Sequence, residues 1–345
     1  MEAFMNHLPQ GLQIGHNLDL GYRQHHTPCY IQKGLQFQLF RGELTCLLGA
    51  NGAGKSTLLR TLAGSQPALG GELLVNGHPL SNMDERERSR TIGIVLTDKT
   101  YAGGLTVYEL VALGRQPHTG FFGRLHTHDK MMVRQAIEAV GMSHKSESYV
   151  SELSDGERQK IMIAKVLVQE CPLILLDEPT AFLDVVSRIE IMQLLHRLAI
   201  EEQKAILLST HDISHALTIA DRLWLMNRQS GLVSGVTEDL ILNGTMDRLF
   251  PSHPEISFDS RQGNYTVCLR EQKPICLETA DETLFHWSRN ALSRMGFHGT
   301  KEHKEPFPIL TVRQADNLLL QTREETFRFT SFEELGRFLA SWPQI

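Results

Sequence analysis

The sequence predicts an α/β fold, a mostly parallel sheet with helices on both faces, followed by a small α+β unit. Three observations carry this expectation. Short, wholly apolar runs alternate with helical stretches, as in Leu44–Leu48, Leu173–Leu176 and Ala205–Leu208, and strands buried on both faces read as continuous apolar runs. A glycine-rich segment, Gly49–Gly54, sits between the first of these runs and a helical pattern. Near Phe250 the composition changes to a proline-rich, polar stretch, and the pattern beyond it mixes strands and helices differently.

The 345 residues suit one large domain and one small one. Hydrophobic residues make up 41% and charged residues 21% of the chain, enough for a core under an ordinary polar surface. A net charge of −6 argues against non-specific nucleic-acid binding, which needs a basic face. Cys29, Cys46, Cys171, Cys268 and Cys276 are odd in number and form no C-x-x-C pair. Reduced thiols are therefore expected rather than a disulfide framework. The opening MEAFMNHLPQ lacks the charged-then-apolar plan of a secretory signal. No run of about 18 apolar residues occurs, so the chain is not expected to cross a bilayer.

Taken in order, Leu18–Leu39 alternates polar and apolar residues and predicts paired strands turning at Gly21 and Gly34. Leu44–Leu48 is a buried strand, and Ser56–Ala63 has helical spacing that stops at Gly64. Between Gly71 and Val95 lie strand-like pieces, ELLVNG and TIGIV. From Thr106 to Val168 the pattern is largely helical, a lobe inserted between two halves of the sheet. Then come the strand before Asp177, a helix near Val186–Ile200, the strand AILLST, a helix near Ile213–Ala220 and the strand LWLMN. PSHPEISFDSRQGN reads as a linker. Beyond it, NYTVCL, a helix over Asp281–Met295, PILTV, NLLLQT and ETFRF precede a last helix, begun by Ser331 with Glu334 as a capping box. The expected division is 12–250, with the helical lobe over about 100–170, and 251–345.

Gly49-Ala50-Asn51-Gly52-Ala53-Gly54-Lys55-Ser56 fits G-x-x-x-x-G-K-[ST], directly after a buried strand and before a helix. Such a loop turns backbone N–H groups inward, and the helix N-terminus adds its positive dipole end, so together they cradle phosphates. Gly49, Asn51, Gly52, Ala53, Gly54, Lys55, Ser56 and Thr57 are the expected nucleotide contacts. Lys55 would reach the β- and γ-phosphates, and the Ser56 hydroxyl would ligate Mg²⁺. Leu173-Ile174-Leu175-Leu176-Asp177-Glu178 delivers two carboxylates at a strand end. Asp177 is expected to hold Mg²⁺ through a water, and Glu178 to orient or deprotonate the attacking water.

Leu153-Ser154-Asp155-Gly156-Glu157-Arg158-Gln159 resembles the signature sequence of ABC ATPases, with Asp155 and Glu157 where that family has Gly and Gln. Pro179-Thr180-Ala181-Phe182-Leu183-Asp184 is similar to its D-loop, and Ser209-Thr210-His211-Asp212 to its switch histidine. The resemblance spans residues 12 to 250. It implies a P-loop ATPase domain with an antiparallel β sublayer and an inserted helical lobe. It also implies head-to-tail dimers in which ATP lies between the phosphate loop of one copy and Ser154 and Gly156 of the other. Asp184 joins the nucleotide contacts, His211 and Lys55 join Glu178 as catalytic residues, and Tyr22 fits the aromatic that stacks on adenine. The partners implied are a second copy, integral membrane permease subunits and, indirectly, a substrate-binding protein, but no nucleic acid. The chain would then sit peripherally on the cytoplasmic face of the inner membrane.

One position departs from the pattern. The family ends the strand before the helical lobe with glutamine, whereas here Ile92–Val95 runs on to Leu96, Thr97 and Asp98. Thr97 and Asp98 are both candidates to coordinate Mg²⁺ or the water. Gly104–Arg115, with Gln116-Pro117-His118 and Phe121–Leu125, resembles the lobe of importers for iron chelates, haem and cobalamin, a segment that contacts the membrane subunit. The function implied is ATP hydrolysis coupled to uptake of an iron chelate or cobalamin. An importer for another solute, or an ABC ATPase of translation or DNA repair that moves no solute, is the alternative; a single cassette without heptads speaks against the latter. A nucleotide-binding regulator without turnover is opposed by Glu178 and His211. The histidines at 25, 26, 126 and 128 and the stretch Gly296–Glu305 lack metal-ligand spacing and read as solvated loops.

Overall fold

The computed structural model describes residues 11–25, 27–96, 104–120, 123–250, 253, 255–267, 273–302 and 307–342. It divides into two compact units, Met1–Thr266 and Val267–Ile345.

In the first unit, β1 (Gln13–Gln24) and β2 (Thr27–Leu39) pair antiparallel. With β4 (Gly70–Val75) and β5 (His78–Pro79) they form a sheet ordered β2-β1-β4-β5. Strand β1 ends at Gln24 and β2 begins at Thr27, so the chain reverses between them and not at Gly21 or Gly34 as the alternation suggested. Gly21 lies inside β1, where a Cβ would stand 2.0 Å from the carbonyl oxygen of Cys29. Gly34 lies inside β2 at φ 65°, donating its N–H to Asp19 Oδ1 at 2.9 Å. The register slips there, Leu18 facing Leu35 and Leu20 facing Gln32. This is a bulge, and only glycine takes its left-handed conformation without strain.

The second sheet contains β3 (Leu44–Gly49), β6 (Ile92–Val95), β7 (Leu173–Asp177), β8 (Ala205–Ser209), β9 (Arg222–Asn227) and β10 (Gly231–Val236), in the order β10-β9-β3-β8-β7-β6. All neighbours are parallel except β9 and β10. Alternate residues of its strands enter two different cores. Leu47, Leu173, Leu175 and Leu207 face the core shared with β1, β2 and helix α1 (Lys55–Leu62). Cys46, Leu48, Ile174, Leu176 and Leu208 face the other. That two-sided burial is why these strands are apolar throughout. Helix α2 (Glu85–Thr91) was invisible to periodicity, because ERERSRT buries no residue; the Asp84 side chain caps it.

The helical lobe contains α3 (Val107–Ala112), a 3₁₀ segment Leu113–His118, α4 (Thr127–Ala139) and α5 (Asp155–Leu167). Their apolar stripes, among them Val107, Leu110, Val133, Ile137, Ile161 and Ala164, meet in the core shared with β7. Thereafter α6 (Val185–Glu202) and α7 (Ile213–Ile219) alternate with β8 and β9, and α8 (Thr237–Leu242) follows β10. No helix of the described residues is long and apolar enough to cross a membrane.

The stretch expected to be a linker is partly structured. Strands β11 (Ile256–Asp259) and β12 (Asn264–Val267) pair. Phe250, Phe258 and Tyr265 pack against the lobe-side core, and the Tyr265 hydroxyl donates to Met246 O at 2.6 Å. Aromatic packing therefore carries the first unit to Thr266, about sixteen residues past the expected boundary. In the second unit β13 (Lys273–Thr279), α9 (Glu282–Arg294), β14 (Phe297–Thr300), β15 (Ile309–Gln314), β16 (Asn317–Gln321), β17 (Thr326–Phe329) and α10 (Phe332–Ser341) follow one another. The sheet order is β14-β13-β15-β16-β17, with its own core around Leu277, Leu292, Leu310 and Leu320. The capping box expected at Ser331 is only half formed. Glu334 N donates to Ser331 Oγ at 3.2 Å, but the Glu334 carboxylate accepts from Thr330 N at 2.7 Å instead.

Candidate functional site

The carboxyl ends of β3, β7 and β8 lie side by side at the middle of the parallel sheet, the edge where open α/β sheets bind ligands. Residues 49–54 leave β3 and turn into α1. Gly52 (φ 78°) and Gly54 (φ 106°) supply left-handed conformations that a side chain would strain. A Cβ on Gly54 would also press to 2.7 Å from Ile31 Cγ2, and one on Gly49 to 2.5 Å from Met226 O. The loop thus rests on β2 and β9. Gln32, buried in β2, joins the three by donating its amide to Asn227 O at 2.8 Å and Ala53 O at 3.4 Å.

Lys55 opens α1 and is buried. Its Nζ donates to Gly49 O at 2.7 Å and Ala50 O at 3.4 Å. Burial holds its pKa below the ordinary lysine value, with Glu178 and Asp177 opposing that shift. The two carboxylates are therefore within electrostatic reach of the ammonium. Asn51, Gly52 and Ser56 are exposed, Thr57 is half-buried and Ala53 is buried.

Asp177 ends β7, buried, directly opposite Ser209 at the end of β8. The Ser209 hydroxyl donates to Asp177 Oδ1 at 2.7 Å and accepts from Glu178 N at 3.0 Å. Glu178 takes a left-handed turn at φ 49°, and its Oε1 meets His211 Nε2 at 2.5 Å. A non-glycine residue at positive φ is a marker of local strain, and such strain concentrates at functional turns. Behind His211, Asp212 is held by Arg188 and His215, each at 2.8 Å. Lys55, Asp177, Glu178 and His211 are thus gathered at one edge, although 156 positions separate Lys55 from His211 in sequence.

Ser154, Gly156 and Asp184 form a second group. Ser154 caps α5 in a reciprocal box: Glu157 N donates to Ser154 Oγ at 3.3 Å, and Ser154 N donates to Glu157 Oε2 at 3.0 Å. Lys145 lies 2.6 Å from Glu157 and is the leading cause that holds its carboxyl below the usual range. A Cβ on Gly156 would meet Phe182 O at 2.9 Å, so the start of α5 lies against the segment leading to Asp184. Asp184 caps α6 by accepting from Ser187 N at 2.9 Å. Tyr22 is exposed on β1 opposite Cys29. Thr97 and Asp98, the candidates at the departed glutamine position, lie outside the described residues.

Sequence reasoning passed over Ser209 and Gln32. A hydroxyl ending an apolar strand next to the strand that ends in Asp-Glu was a usable signal for Ser209. Gln32 offered none, since its partners lie 21 and 195 positions away.

Known proteins resemble this chain in both sequence and fold. The ABC transporter family matches residues 32–181, and the iron ABC transporter C-terminal domain matches residues 272–340. An uncharacterized ABC transporter ATP-binding protein of Methanocaldococcus jannaschii is 36% identical over 72% of this chain and 82% of its own length. The iron(3+)-hydroxamate import ATP-binding protein of Bacillus subtilis (strain 168) is 34% identical over 69% of this chain and 88% of its own. Among solved structures, a metal-chelate type ABC transporter in an inward-facing conformation is similar at 27% identity and TM-score 0.59, covering 74% of this chain and 96% of that one. A dimeric bacterial ABC transporter cassette is similar at 25% identity and TM-score 0.58, covering 65% and 98%. On this fold, this edge and these similarities, the chain belongs to the family of ABC transporter ATP-binding proteins and is an ATP-binding ATPase.

Proposed function

We propose that the chain drives uptake of an iron chelate, hydrolysing ATP as one of two head-to-tail copies beneath membrane-spanning permease subunits. A substrate-binding protein would deliver the solute to those subunits, and this chain would sit peripherally on the cytoplasmic face of the membrane. The names of the relatives and the match of residues 272–340 to an iron transporter C-terminal domain favour the iron-chelate side over cobalamin.

The observation that carries the chemistry is the convergence of Lys55, Asp177, Glu178 and His211 on one sheet edge. Lys55 exchanges its loop carbonyls for phosphate oxygens, with the amides of residues 49–57 completing the cradle. Glu178 orients the attacking water and accepts its proton, and His211 fixes the Glu178 carboxylate. Tyr22 offers its exposed ring to adenine. The donor set also fits Mg²⁺, because hard cations select hydroxyl and carboxylate oxygens. Ser56 and the Ser209-anchored Asp177 would hold it, and the ion supplies neutralisation of phosphate charge. Ser154 and Gly156, at the start of α5, and Asp184, at the start of α6, serve the nucleotide held by the other copy.

Glu178→Gln tests the assignment. Steady-state hydrolysis should fall by about 10²-fold or more, while equilibrium ATP affinity changes little. Turnover near the wild-type rate would remove Glu178 from the mechanism.

A further inference from the structure

The resemblance placed Gly114 and Arg115 in a segment that meets the membrane subunit, yet both are buried inside the lobe. A Cβ on Gly114 would stand 2.2 Å from the carbonyl oxygen of Lys165, so the 3₁₀ segment lies directly on the last turn of α5. Arg115 is only 4% exposed. Its Nε donates to Asp129 Oδ1 at 2.8 Å; its Nη1 donates to Val168 O at 2.9 Å and pairs with Glu170. Val168 is the C-cap of α5. A guanidinium there satisfies a helix-end carbonyl and complements the negative end of the helix dipole. His118 Nε2 lies 2.8 Å from Gln169 O, so residues 168–170 are gripped in succession. From outside, Arg86 and Arg90 donate to the carbonyls of Pro117 and Thr119.

We infer that Arg115 is a positioning residue for ATP hydrolysis, acting through α5 on the Ser154–Gly156 end that serves the other copy's nucleotide. The inference rests on the head-to-tail reading above. Helix α5 spans Asp155–Leu167, a rod about 20 Å long, with Ser154 capping one end and the Arg115 grip on the other. A tilt of about 5° at the gripped end moves the far end by about 1.7 Å over such a length. Misplacement of about 1 Å in a reacting geometry costs on the order of 10²-fold in rate. Residues 168–170 also lead toward β7, but β7 is already fixed by its ladders to β6 and β8, whereas Gly114 and Arg115 both seat on α5 itself.

The test is hydrolysis by mixed dimers. Arg115→Lys keeps the buried charge but loses the fork that spans Asp129 and Val168; Glu170→Gln, at the outer end of the grip, is the milder second variant. As homodimers both should bind ATP with unchanged affinity, while kcat falls about 10- to 100-fold for Arg115→Lys and less for Glu170→Gln. Arg115→Lys paired with Lys55→Ala leaves one composite site undamaged and should exceed either homodimer in rate. Paired with Ser154→Ala it damages both sites and should show no gain. Gain with the Ser154 variant but not the Lys55 variant would place Arg115 on its own copy's catalytic strand and overturn the inference. Gain with neither partner, or an unchanged kcat, overturns it too. The Lys55→Ala with Ser154→Ala pair is the control. Its failure to recover activity would overturn the head-to-tail reading itself, and the Arg115 assignment with it.

Discussion

Ser209 does two things with one oxygen, donating a hydrogen bond to Asp177 and accepting one from the Glu178 amide. Because it is fully buried, no water replaces it easily in Ser209→Ala. The substitution leaves an N–H and a carboxylate oxygen short of a partner, at a cost of about 1–3 kcal/mol. We expect a fall in Tm of a few degrees and a drop in kcat of about 10- to 100-fold, with KM for ATP within a few-fold of wild type. A rise in KM with kcat preserved would mean that Ser209 serves binding rather than the alignment of the two carboxylates. Lys55, Asp177 and Glu178 were legible in the sequence because each is fixed by local chemistry: a glycine turn before a helix, or an apolar strand ending in acid. Gln32 and Arg115 were not, because their roles are set by partners that only the folded sheet and lobe bring near, whereas Ser209 left a weaker trace, a hydroxyl ending an apolar strand.

At the scale of elements, strands buried on both faces and helices with apolar stripes announced themselves, whereas α2 did not, since it buries no residue fully and opens on its Asp84 cap. Gly21 and Gly34 read as turns but mark a close approach and a bulge inside strands. Along a sequence, breaker residues look alike whether they end a strand or bend it. Helix α5 offers a sharper test. Glu157 stands where the family has glutamine, and it closes the cap on Ser154 while pairing with Lys145. Glu157→Gln keeps the capping geometry but loses the charge, and should lower stability by about 0.3–1 kcal/mol at neutral pH. The carboxyl's folded pKa is depressed, so this contribution is full above the ordinary glutamate value. It is lost as pH falls through the folded value. The Tm difference between wild type and variant should therefore shrink on acidification below about pH 4.3, and a difference that holds constant with pH would contradict the assignment.

At the scale of the molecule, the division into two units was visible as a change of composition, but its position was not. Aromatic residues Phe258 and Tyr265, set among prolines and polar residues, carry the first unit to Thr266. Two or three half-buried rings anchor a polar stretch, and periodicity does not register them. The two groups of the candidate site also belong to this scale. Lys55, Asp177, Glu178 and His211 converge on the sheet edge, while Ser154, Gly156 and Asp184 lie together at the start of α5 and α6. We propose that ATP completes its site only between two copies, one supplying each group. The most direct measurement is the solution mass of Glu178→Gln with and without ATP, by sedimentation or light scattering. The expected result is a shift from 39.0 kDa to twice that mass on adding ATP with Mg²⁺, and no shift when Ser154→Ala is combined with Glu178→Gln. A Glu178→Gln protein that binds ATP yet keeps the mass of one chain would contradict it.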